Sequence, residues 1–98
     1  MGELDGVWNV TRAGGALPPM LGVRKEISGT SGATKLGRLP GAPFDVVGLS
    51  LRYRTPFAGF VDELEPDGDG YRGRATFRGR QFGSFRLERI DDAAGRAH

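Results

Sequence analysis

Five carboxylates lie close together in this chain: Asp62, Glu63, Glu65, Asp67 and Asp69. Two carboxyl groups held a few ångströms apart can act as acid and base, as in glycoside hydrolysis. Here they crowd a strand end and a Pro66-Asp67-Gly68 turn, which reads as a solvated hairpin. The run Glu65-x-Asp67-x-Asp69-Gly70 imitates the first half of a calcium loop. The position that needs a bidentate glutamate falls on Thr76, so no calcium site is assigned. The only histidine is His98, and there is no cysteine. The usual nucleophile–base pairs are therefore missing, and no catalytic residue, metal ligand or cofactor is assigned.

A second candidate is arginine interleaved with aromatics. Tyr71-Arg72-Gly73-Arg74 and Phe77-Arg78-Gly79-Arg80 repeat one unit at a spacing of six. Neutralising phosphates while stacking bases would use these residue types. On an alternating strand, however, Tyr71, Gly73, Ala75 and Phe77 face one way, and Arg72, Arg74 and Arg78 face the other. That separation suits a barrel wall better than a stacking platform. The net charge is only +2, and the pI of 9.5 reflects twelve arginines against two lysines. So small a charge implies no strong long-range pull on nucleic acid.

The elements that must position these residues are strands. Alternation recurs in Leu4 to Thr11, where Leu4, Gly6, Trp8 and Val10 share a face. In the next run Leu21, Val23 and Ile27 share a face that Lys25 interrupts. A weak run, Ala33 to Leu39, follows. Val47 to Arg54 alternates most clearly, with Val47, Leu49, Leu51 and Tyr53 on one side. Further strands are expected around Phe60 to Leu64, over Tyr71 to Arg78, and over Gln81 to Ile90. The last two read as a hairpin about Gly79-Arg80 that pairs Phe77 with Phe82. A bulge at Gly83-Ser84 would restore the register and set Arg72 opposite Glu88. Gly14-Gly15-Ala16-Leu17-Pro18-Pro19 is long and apolar for a turn and could fold over one end of a barrel. No helix is expected.

Ninety-eight residues, 38% hydrophobic and 27% charged, fit one soluble globular domain with a modest core. The domain is expected over residues 1–90, with 91–98 as a frayed tail. No apolar run is long enough to span a bilayer, and the first residues lack the pattern of a secretory signal. The chain is read as cytoplasmic.

The two ends carry the most informative pattern. Gly6-Val7-Trp8-Asn9-Val10 opens the chain, and Phe85-Arg86-Leu87-Glu88-Arg89-Ile90 closes it. A Gly-x-Trp first strand with an arginine-bearing last strand resembles the lipocalin and calycin group. The resemblance implies a small antiparallel up-and-down barrel, all-β, of seven or eight strands, with its first and last strands paired. It also implies that an arginine covers the tryptophan near the closed end. Arg89 shares the parity of Phe85 and Leu87 and is the candidate, with Arg86 the alternative.

The expected function is non-catalytic binding of a small apolar or aromatic ligand inside the barrel. Trp8, Tyr53, Phe60, Tyr71 and Phe77 would line the interior. Glycines on strands (Gly6, Gly48, Gly59, Gly73) could leave a small void there or let the sheet bend. One alternative is a protein or nucleic-acid interaction module using the Arg72–Arg89 surface. Another is an enzyme using the Asp62–Asp69 carboxylates. No membrane partner is expected, and the chain would be a monomer or an edge-paired homodimer.

Overall fold

The computed structural model describes residues 2–90, so the expected tail at 91–98 lies outside the described residues. Eight strands form: β1 (Gly6–Gly15), β2 (Val23–Ser28), β3 (Ser31–Leu36), β4 (Ala42–Val47), β5 (Ser50–Tyr53), β6 (Phe60–Asp67), β7 (Gly70–Phe77) and β8 (Arg80–Arg89). Each pairs antiparallel with its sequence neighbour, and β1 pairs with β8 to close the barrel. There is no helix among the described residues, and none is long and apolar enough to cross a membrane.

Closure follows from register. Trp8 lies opposite Arg89, Val10 opposite Leu87, and Arg12 opposite Phe85. Alternate residues then share the interior. Leu4, Trp8, Val10, Ile27, Phe44, Leu51, Leu64, Phe85 and Leu87 are buried. Each such side chain contributes about 1.5–3 kcal/mol relative to an exposed one. Gly73 is one of the glycines expected to leave a void or let the sheet bend. In its place, a Cβ would collide with the Phe85 ring. The missing side chain is thus occupied by a neighbour.

Two expectations about strands are corrected. The run Val47–Arg54 is not one strand. Gly48 takes φ 63°, and the chain reverses over Gly48-Leu49 so that Val47 pairs with Ser50. Alternation continues in phase through this two-residue turn, which hides it. The last hairpin turns about Arg78-Gly79, not Gly79-Arg80. Both residues have positive φ, 51° and 87°, as a tight turn matched to strand twist requires. Phe77 therefore pairs with Arg80 and Thr76 with Gln81. The register shifts at Phe82, ahead of the expected bulge at Gly83-Ser84, and Arg72 faces Arg86 rather than Glu88.

Candidate functional site

The two ends of the barrel are built differently. At one end Leu4 lies beneath the start of β1, and its carbonyl accepts the Trp8 indole N–H at 2.9 Å. Arg89 lays its guanidinium over the Trp8 ring, 4.2 Å from the centroid, and donates to the Asp5 carbonyl at 2.7 Å. A side chain on Gly6 (φ 131°) would collide with that guanidinium. Tyr71 packs edge-on against Trp8 at 5.4 Å and donates to Glu3 at 2.6 Å. Asp5 accepts backbone N–H groups of Gly29 and Gly2, which hold its carboxyl below the usual range. Arg86, the other candidate for Trp8, faces outward onto Asp67.

The other end holds a cavity of about 220 Å³. Val10, Val23, Ala75 and Phe85 form its inner walls, with Phe60 and Phe82 farther out. Leu17 and Met20 come from the β1–β2 connection, which folds across this end. Arg12 anchors that connection by donating to the Leu17 carbonyl at 2.7 Å, and Ala16 N–H donates to Phe82 O at 2.7 Å. Phe57, 45% exposed, stands at the mouth with Leu21 and Leu39 on neighbouring loops.

Four polar side chains line the cavity, and they form one cluster. Lys25 is 3% exposed and Asp62 7%. The Lys25 Nζ donates to Asp62 Oδ2 at 3.0 Å, Thr34 Oγ1 at 2.6 Å and Tyr53 OH at 2.8 Å. Tyr53 OH lies 3.0 Å from the same Asp62 oxygen and 2.6 Å from Thr34. Burial pulls the Lys25 pKa down, but Asp62 and Tyr53 outweigh it, so the value ends above that of ordinary lysine. Burial raises the Tyr53 phenol as well, which keeps it neutral. The rings of Phe44, Tyr53 and Phe85 also stand 5.3–5.6 Å from Nζ.

The residues singled out in the sequence separate into three places. Tyr53 and Phe60 line the cavity. Trp8 and Tyr71 are buried at the closed end with Arg89. Phe77, 39% exposed, packs on Phe60 at 4.6 Å near the mouth and does not line the cavity. Lys25 and Thr34 were missed. The signal for Lys25 was present, because it sits in phase with Val23 and Ile27. Asp62 shares the parity of Phe60 and Leu64 in the same way.

Asp62 turns inward, while its strand neighbour Glu63 accepts from Ser50 and Glu65 faces Arg72. The acidic group is thus divided between the two sides of the wall. Some outer arginines are paired, since Arg72 and Arg86 share Asp67, Arg54 holds Asp45 and Arg24 meets Glu26. Arg38, Arg52, Arg74, Arg78 and Arg80 make no ion pair among the described residues. Among the described residues no cluster of histidine, cysteine or carboxylates could hold a metal ion. Comparison with protein-family models, curated proteins and solved structures gives no match for this chain.

Proposed function

We propose that this protein binds one small, mainly apolar or aromatic molecule inside its barrel and performs no chemistry on it. The observation that carries this reading is a cavity of about 220 Å³ with apolar walls, lying beyond the sealed end of the barrel. An eight-stranded barrel can be filled by its own side chains or can keep room for a small ligand. A cavity of about 150 Å³ already accommodates benzene, so this one suits a ring with modest substituents. The same arrangement supports a calycin-like reading, with Trp8 and Arg89 at the closed end and a ligand beyond them.

Native mass spectrometry of protein purified gently from its host tests the proposal. The expected result is a reproducible extra mass that is lost on denaturation. Ala75→Leu puts added bulk into the cavity, and that mass should then disappear while the barrel stays folded. A bare polypeptide that also fails to bind any small aromatic in titration would overturn the reading.

A further inference from the structure

A buried lysine in a ligand cavity invites the expectation of an anionic ligand, such as a carboxylate. Counting hydrogens in the cluster leads elsewhere. The ammonium has three, and the three groups within hydrogen-bond distance of it are all acceptors inside the cluster: Asp62 Oδ2, Thr34 Oγ1 and Tyr53 OH. The Tyr53 proton goes to Asp62 Oδ2, and the Thr34 proton can then go to Tyr53 OH. Each donor of the cluster thus finds an acceptor within the group. Its charges cancel as well, because one ammonium faces one carboxylate.

One strong acceptor is left over. Among the described residues Asp62 Oδ1 receives no hydrogen bond, although its partner oxygen receives two. No buried side-chain polar atom lacks a partner, so Oδ1 retains some solvent access. Asp62 belongs to the cavity lining, and the cavity is where that access lies. A carboxylate oxygen in a mainly apolar pocket rewards a donor and repels an acceptor, because an unpaired polar group in such a site costs free energy.

We propose that the cavity selects a ligand carrying an N–H or O–H donor aimed at Asp62 Oδ1, and that it disfavours carboxylates. Lys25 does not hold the ligand. It fixes the Asp62 carboxylate with one oxygen inside the cluster and the other toward the ligand. Thr34 and Tyr53 keep Lys25 occupied. This inference rests on the ligand-binding reading above and names the chemical class that would fill the site.

Three one- or two-ring probes separate the cases: indole, benzofuran and benzoate, titrated by calorimetry. Indole and benzofuran share a shape, but only indole can donate. In a merely greasy cavity indole would be the weaker ligand, since its N–H would be buried without a partner. The proposal expects indole to bind about tenfold more tightly than benzofuran, and benzoate to bind worst. The double variant Lys25→Met/Asp62→Leu replaces the ion pair with apolar groups and should keep the fold while erasing the indole preference. Benzofuran equal to or tighter than indole in the native protein would overturn the proposal. So would benzoate binding best, or an indole preference that persists in the double variant. Failure of all three probes to bind, in protein whose native mass is also bare, would overturn the ligand-binding reading itself.

Discussion

The two ends of this barrel show how the same wall can be finished in opposite ways. At the closed end every large group is spoken for: the Trp8 indole by Leu4, its ring by Arg89 and Tyr71, and Asp5 by two backbone amides. The connections at that end, residues 2–5, 29–30, 48–49 and 68–69, carry Glu3, Asp5 and Asp69 and no cation. At the open end residues 16–22, 37–41, 54–59 and 78–79 carry Arg38, Arg54 and Arg78 and no carboxylate. Leu21 and Leu39 there are 88% and 63% exposed. One end spends its side chains on closure. The other leaves them on the surface around a hollow.

Truncation should expose that difference most strongly. Trp8→Ala removes a ring that is 1% exposed and should cost about 3–5 kcal/mol in chemical denaturation. Phe57→Ala at the mouth should stay within about 0.5 kcal/mol, as surface substitutions generally do. Equal losses at the two sites would break the contrast.

The buried cluster gives the next effect. Lys25→Met alone strands the Asp62 carboxylate and should destabilise the barrel by roughly 3–5 kcal/mol. The double change Lys25→Met/Asp62→Leu should recover most of that loss, because a desolvated ion pair often does little better than apolar groups of similar size. If the double variant were as unstable as the single one, the cluster would be holding the barrel together by more than its own charge balance.

A smaller change is expected from Arg89→Leu, at about 1–2 kcal/mol for the cation–π contact and the hydrogen bond to Asp5 O. Trp8 fluorescence should shift as the ring is uncovered, while binding at the far end should be unaffected. Altered ligand affinity would show that the ends are mechanically coupled.

The smallest effects come from pH, and the two ends should respond in opposite directions. Lys25 and Tyr53 both have folded pKa values above the ordinary 10.5 and 10.0. Their contribution is present below those values and is lost as pH rises through the folded ones, so alkali should loosen the cavity end. The Asp5 carboxyl sits below its ordinary 3.8, and its contribution is lost as pH falls through the folded value. Asp5 is only half-buried, so acid should have only a slight effect on the closed end. Amide exchange should show Gly29 opening first in acid and the residues around Tyr53 opening first in alkali.

Much of this architecture could be read from the chain, because a barrel wall repeats every second residue. Val10, Phe85 and Leu87 lie inside, as their alternation requires. Pairing of the first and last strands was legible from Gly6-x-Trp8 and Arg89. The turns were less so. Leu49 keeps the apolar phase through a reversal, and Arg78 adopts a backbone conformation that arginine seldom takes. The cavity cluster was half legible. Lys25 falls in an inward phase, and so does Asp62, but alternation cannot show that β2 and β6 point them at each other across the interior. Such a contact depends on closure, and closure is a property of the whole sheet.

That dependence reaches back to the making of the protein. Of the eight strands β8 leaves the ribosome last, and until it pairs with β1 the sheet keeps two raw edges and an uncovered indole. Its paired strands up to that point are all local hairpins, which form quickly. The final seam is not local, because it must join segments from opposite ends of the barrel sequence. Arrival of the strand bearing Arg89 therefore covers Trp8, removes both edges and encloses the space around Lys25 and Asp62 in a single event.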